Sequence, residues 1–278
     1  MSDNSAPMLA SQRQEYIYNL VNTTGGVRVA ELVEELGVSE MTVRRDISEL
    51  VARGMVERVH GGAVAIDDPG VVDIAQPSMR GSHRDSLLEI GELACSLLHP
   101  GDAIFLGAGR TCAVVARQLV TTGLVSSLRI ITNSVYSARI LTESDQGYEN
   151  PGGSGDAGTS EVYLLGGRYG GSGTVTGPYA TQVVREMSAK WAIFGTRGIT
   201  QHMGCSADDV NEADVLRNMA NQARYKVLVA TVDKWGNDAF RSFAPLNTLD
   251  YWVTNSEVSS DARVALQEAQ VNLIYPRH

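Results

Sequence analysis

Apolar residues recur at helical spacing near the start of the chain and in short unbroken runs later, and the change of rhythm divides it. Tyr16, Ile17, Leu20 and Val21 share one face of a helix predicted over 11–22, closed by Thr23-Thr24-Gly25-Gly26. A shorter helix over 30–36 stops at Gly37. The next helix carries Val43, Ile47, Leu50 and Val51 at i, i+4, i+7 and i+8. Ser39 suits its N-cap, and Gly54 suits the residue just past its end. Thr42, Arg44, Arg45 and Ser48 lie off the apolar stripe, so this helix has one face to bury and one to offer. Residues 55–60 and 63–66, turned by Gly61-Gly62, read as two strands, with 27–29 as a short third.

Asp67-Asp68-Pro69-Gly70 breaks this pattern, and little periodicity returns before His83. The expected organisation is a first domain over 8–66, a linker over 67–84 and a second domain over 85–278. The second domain opens with a helix over 85–98 whose apolar face is Leu87, Ile90, Ala94 and Leu98. Apolar runs then follow at 103–106, 128–131, 162–165, 191–194, 226–230, 251–254 and 271–274. Between them fall helical segments at 111–119, 135–141, 179–187, 208–223 and 260–270. Such alternation predicts an α/β domain with a mostly parallel sheet covered on both faces, and ligands at the carboxyl ends of its strands. The Gly-, Ser- and Asn-rich stretch 146–160 reads as a flexible insertion without chemistry.

Composition narrows the choice. The chain has 278 residues, enough for two cores, and a formal net charge of −9. That charge argues against non-specific coating of nucleic acid, which needs an excess of Lys and Arg. Its three cysteines are widely and irregularly spaced, which suits neither a disulfide framework nor a zinc site. With no apolar run of membrane-spanning length and a polar N-terminus, a soluble cytoplasmic protein with reduced thiols and no membrane partner is expected.

The first domain reads as helix, turn, helix and wing, a unit that sets its second helix in the major groove of double-stranded DNA. Ser39, Thr42, Arg44, Arg45 and Ser48 are the expected DNA-contacting residues on that helix, and Arg58 and His60 on the wing. Glu31, Glu34, Glu35, Glu40, Asp46 and Glu49 dilute the positive charge. Binding should therefore rely on a homo-dimer or homo-tetramer presenting several recognition helices together. Val38-Ser39, Thr42 to Ile47, Leu50, Gly54 and His60-Gly61-Gly62-Ala63 together make the domain resemble the winged helix of the DeoR family of sugar-responsive transcription regulators.

In the second domain, turns after successive strands carry small residues and donors. These are Gly107, Ala108, Gly109, Arg110 and Thr111; Thr132 and Asn133; Gly166, Gly167 and Arg168; and Thr196, Arg197 and Gly198. Glycines let the backbone approach a ligand, and a following helix N-terminus attracts an anion. Arg110, Arg197 and Lys234 are expected on one rim, which suits a small anionic effector such as a sugar phosphate. The arginines could instead be paired with Asp208, Asp209 or Glu212. The DeoR resemblance extends through this half and implies an effector domain with the fold of ribose-phosphate isomerases, and repression of carbohydrate genes. Matching positions are Gly109, Thr111, Thr132-Asn133, Gly166-Gly167, Gly195, Gly198, Gly204, Glu212-Ala213, Lys234 and Gly236. Gly107, Arg110, Thr231 and Asp233 depart from the family's Asp, Thr, Asp and Ser, which points to a changed set of ligand acceptors.

An enzyme using Lys234, Asp233 and Glu212 is the alternative. The five histidines offer no paired arrangement, so no catalytic residue, metal or cofactor is assigned. A constitutive DNA-binding protein with an empty pocket is a third reading.

Overall fold

The computed structural model describes residues 10–24, 26–52, 56–59, 61–65, 82–143, 161–170 and 173–276. The expected linker core, the insertion at 146–160, Gly54 and His60 lie outside the described residues. The chain divides into two compact units, one built from the elements before residue 66 and the other from Arg84 onward.

The first unit runs α1 (Ala10–Thr24), β1 (Gly26–Arg28), α2 (Val29–Leu36), α3 (Glu40–Ala52), β2 (Val56–Val59) and β3 (Gly62–Ala65). Gly37, in the left-handed conformation, ends α2. Ser39 caps α3, its Oγ accepting from the Thr42 amide at 3.2 Å. Of the stripes read from sequence, Ile17, Val21, Val43, Ile47 and Leu50 are at most 1% exposed, as is Leu32 of α2, while Tyr16, Leu20 and Val51 are half-buried. Each such aliphatic side chain contributes about 1.5–3 kcal/mol by leaving water. The three strands form an antiparallel sheet in the order β1-β3-β2, a wing closed against the helices.

Sequence reasoning treated Asp46 as one more surface carboxylate. It is 3% exposed. Its Oδ2 accepts from Arg13 Nε at 2.5 Å, and its Oδ1 from Gln14 Nε2 at 3.3 Å, tying α1 to α3. The Asp46 carboxylate accordingly raises the pKa of the Arg13 guanidinium, chiefly through that hydrogen bond.

The second unit begins with α4 (Ser82–Cys95), then β4 (Ala103–Leu106), α5 (Arg110–Thr121), β5 (Arg129–Thr132), α6 (Val135–Glu143), β6 (Glu161–Leu164), β7 (Arg168–Tyr169) and β8 (Val175–Thr176). It continues with α7 (Pro178–Arg185), β9 (Ala189–Phe194), β10 (Gly198–Thr200), β11 (Gly204–Ala207), α8 (Val210–Asn221), β12 (Ala223–Val229), β13 (Arg241–Ala244), β14 (Tyr251–Val253), α9 (Ser260–Glu268) and β15 (Asn272–Ile274). Helix α4 starts three residues earlier than expected, and it also stops three earlier because the chain after Cys95 tightens into i−3 hydrogen bonds before Pro100.

Seven strands form one sheet in the order β15-β14-β12-β9-β4-β5-β6, every pair parallel. Phe105, Ile131, Phe194, Leu228 and Trp252 point into one core. Ile104, Leu106, Ile130, Ile193, Val227 and Val229 alternate to the other face and are equally buried, at most 1% exposed. Both faces are covered across the inner strands, as their unbroken apolar runs required, while the edge strand β6 leaves Tyr163 and Leu164 exposed. Two antiparallel additions were not anticipated: the β7-β8 hairpin and a small sheet in the order β10-β11-β13. Among the described residues no helix is long and apolar enough to cross a membrane.

Candidate functional site

Two sites emerge, one in each unit. In the first, α3 has an outer strip of Met41, Arg44, Arg45 and Ser48, at i, i+3, i+4 and i+7. Arg44 reaches Glu40 at 2.6 Å and Arg45 reaches Glu49 at 3.7 Å, both one helical turn away and both exposed. Such pairs are worth a few tenths of a kcal/mol, so a phosphate or a guanine edge readily replaces them. Ser48 Oγ donates to the Arg44 carbonyl at 2.7 Å and accepts from Arg58 Nη1 at 3.2 Å. The wing arginine is thereby laid across the outer face of α3. Ser39 spends its hydroxyl on the cap and on Thr42 Oγ1, 2.8 Å away. This face thus offers Arg44 and Arg45 from the strip, Thr42 beside it and Arg58 from the wing, whose donors are exposed or held by weak neighbours.

The second site lies along the carboxyl edge of the seven-stranded sheet. From β4 the chain steps outward through β5 to β6, then returns to β9 and steps the other way through β12, β14 and β15. The direction reverses between β4 and β9, and such a switch point opens a crevice beyond the strand ends. Gly107 donates its amide to the Ile193 carbonyl at 2.8 Å, fixing the two turns side by side. Gly109 has φ 101°, a conformation that costs a side chain dearly, and it is the N-cap of α5 without a side-chain cap of its own. The first amides of α5, at Arg110 and Thr111, therefore begin beside the crevice. In the same first turn the Cys112 thiol is fully enclosed. Burial pushes its pKa up to about 12, against a hydrogen bond with the Gly195 backbone and with the charge of Glu212 adding to the rise. Three elements, α5, the turn after β9 and the first turn of α8, thus meet here.

Beside them, the turn after β5 is built from buried polar groups. Thr132, Asn133, Ser134 and Ser137 are all 0% exposed. Thr132 Oγ1 accepts from the Ser134 amide at 3.0 Å, and Ser134 Oγ from the Ser137 amide at 3.1 Å. The Asn133 carbonyl accepts from Val175 at 2.7 Å. Yet Asn133 Nδ2, Asn133 Oδ1 and Ser137 Oγ find no hydrogen-bond partner among the described residues. A buried polar group left so costs about 1–3 kcal/mol, which a polar ligand reaching it recovers. Sequence reasoning named Asn133 and missed Ser137, which stands in the first turn of α6 in an ordinary-looking Tyr-Ser-Ala; only its burial singles it out.

The remaining expected ligand residues are placed less centrally. Gly166 and Gly167 follow β6, and Arg168 lies exposed in β7. Thr196 Oγ1 is used internally, bonding the Gly198 and Ser206 carbonyls at 2.6 and 3.0 Å. Arg197 is exposed and paired with Asp208 at 3.2 Å. Lys234 lies 3.7 Å from Asp233. Arg197 and Lys234, two of the three cations expected on one rim, thus lie against carboxylates of the same unit, and Arg110 is the first residue of α5.

Comparison with known proteins bears on both units. A sequence profile described as the DeoR-like helix-turn-helix domain matches residues 13–68. The profile of the DeoR C terminal sensor domain matches 82–256. The HTH-type transcriptional regulator GlpR of Haloferax volcanii is 30% identical over 272 residues, covering 96% of this chain and 98% of the relative. The HTH-type transcriptional repressor CsqR of Escherichia coli is also 30% identical over 272 residues, covering 97% of each. The lactose phosphotransferase system repressor of Streptococcus mutans is 30% identical over 254 residues, covering 90% of this chain and 94% of the relative. Among solved structures, a ribose 5-phosphate isomerase from Methanocaldococcus jannaschii aligns over 55% of each chain at 14% identity and a TM-score of 0.38, too distant to carry weight.

Proposed function

The chain belongs to the DeoR family of transcription regulators, and we propose that it represses carbohydrate-metabolism genes under the control of a phosphorylated sugar or related anionic metabolite. Its relatives are named regulators and repressors, and it is a DNA-binding protein rather than an enzyme. The winged-helix domain over 8–66 grips the operator through α3 and the wing. The domain over 85–278, reached through the linker at 67–84, holds the effector and assembles the cytoplasmic protein into a dimer or tetramer.

The observation that carries the DNA half is the exposed Arg44 and Arg45 edge on a capped helix whose opposite face is fully buried. The observation that carries the effector half is the set of buried, unpartnered Asn133 and Ser137 atoms beside the switch point. Effector binding that favours one arrangement of the recognition helices over another changes operator affinity. A tenfold change needs only about 1.4 kcal/mol of coupling. The test is recovery of genomic DNA fragments by the full-length protein and by Arg44→Ala plus Arg45→Ala. Wild type is expected to enrich promoters of sugar-utilisation genes, and the folded double variant to lose that enrichment. Equal enrichment by both would defeat the reading.

A further inference from the structure

The recognition helix presents one large side chain that its charge cannot explain. Met41 is 81% exposed, and no other large apolar side chain among the described residues is more so. It lies in the first turn of α3, directly after Glu40 and two residues past the Ser39 cap. Helical spacing puts it on the strip with Arg44, Arg45 and Ser48, opposite the buried Val43, Ile47 and Leu50. It adds nothing to the core of the first unit, which closes without it. An unbranched thioether in water is held there at a cost and is suited to covering an apolar spot of variable shape.

On duplex DNA that spot has one chemical identity. The major groove displays donors, acceptors and a single exposed hydrocarbon group, the 5-methyl of thymine. Residues near the N-terminus of a recognition helix are the ones that reach base edges. We infer that Met41 reads a thymine methyl in each operator half-site, adding apolar discrimination to the hydrogen bonds of the neighbouring arginines. This rests on the DNA-binding role proposed above and goes beyond it, by naming the residue and the base group it selects.

The test uses full-length protein and the duplex it enriches most strongly from a random library. Uracil replaces thymine one position at a time, which removes the methyl and keeps every hydrogen-bonding group. At one position per half-site the replacement is expected to weaken wild-type binding about fourfold. Met41→Ala, which loses the contact in both half-sites at once, should bind the thymine duplex weaker by about the square of that factor and be indifferent to the same uracil. Its melting temperature should match wild type, since the side chain is outside the core. Unchanged affinity of Met41→Ala, equal uracil sensitivity in both proteins, or no sensitive thymine at all would overturn the inference while leaving DNA binding intact. Failure to enrich any duplex would overturn the DNA-binding role as well, and so is told apart.

Discussion

Asp46 follows two exposed arginines on α3, yet it is the residue that fixes the helix in place. Its carboxylate is enclosed and takes hydrogen bonds from Arg13 and Gln14 of α1. Removing one partner of a buried pair strands the other. Arg13→Met is therefore expected to cost the first unit about 3 kcal/mol in denaturant unfolding, while Arg13→Met with Asp46→Leu recovers much of it. Asp102 plays the equivalent part at the amino edge of the sheet. Burial opposes its charge, but hydrogen bonds from Lys190, the Trp191 indole and the His99 amide outweigh it and lower its pKa. With the folded value below the unfolded one, its contribution is present above the unfolded carboxylate range and is lost as pH falls through the folded value. Asp102→Asn should flatten the acid limb of a stability-against-pH curve and leave its alkaline limb alone. Cys95 and Cys112 behave oppositely. Burial raises each to about 12. Folded protein should resist thiol reagents near neutral pH and react on unfolding, and the stability these thiols lend is lost as pH climbs from the unfolded value, about 9, towards 12.

The elements show which local patterns can be read and which need the fold. The inner parallel strands were legible because a strand buried on both faces is an unbroken apolar run, as in Ala103-Ile-Phe-Leu106, and the edge strands β6 and β15 were legible from short apolar runs although β6 is largely exposed. The small antiparallel strands were not: Gly198-Ile-Thr200 and Gly204-Cys-Ser-Ala207 are too short and too rich in small residues to show a period of two. Helix α8 begins two residues after the expected start because Asp209, read as helical, is its N-cap and accepts from Glu212 at 2.9 Å. The wing was legible in its turn glycines, but the reason for one of them was not. A Cβ on Gly62 would sit 2.0 Å from the Val27 carbonyl oxygen, because β3 is pressed between β1 and β2. Gly62→Ala is expected to part β1 from β3 and weaken operator binding more than tenfold, with faster amide exchange at 26–28 as the structural readout. Ser39→Ala, removing the α3 cap, should cost about 1 kcal/mol of unfolding free energy.

At the scale of the whole molecule, the turns that sequence placed at strand ends follow β6, β5, β4, β9 and β12, which are consecutive neighbours in the sheet. The residues were visible in the chain. Their adjacency was not, because strand order depends on pairing between segments far apart. Pairing with Asp208 was the alternative the sequence offered for the arginines, and for Arg197 the structure takes it, which moves the weight of the site towards α5 and the Asn133 turn. A protein of net charge −9 that binds DNA must do so through a small basic edge, so its salt dependence should be modest for a regulator. Arg45→Ala is expected to lower the slope of log affinity against log salt by about one per protomer, in a fluorescence titration across potassium concentrations. The most direct test of the account as a whole is operator affinity of full-length protein titrated with a panel of sugar phosphates, for wild type and Asn133→Ala. The account predicts that at least one sugar phosphate shifts wild-type affinity tenfold or more, and that Asn133→Ala keeps its ligand-free affinity but loses the shift. An operator affinity indifferent to every sugar phosphate, or a shift of the same size at the same concentrations in the variant, would contradict it.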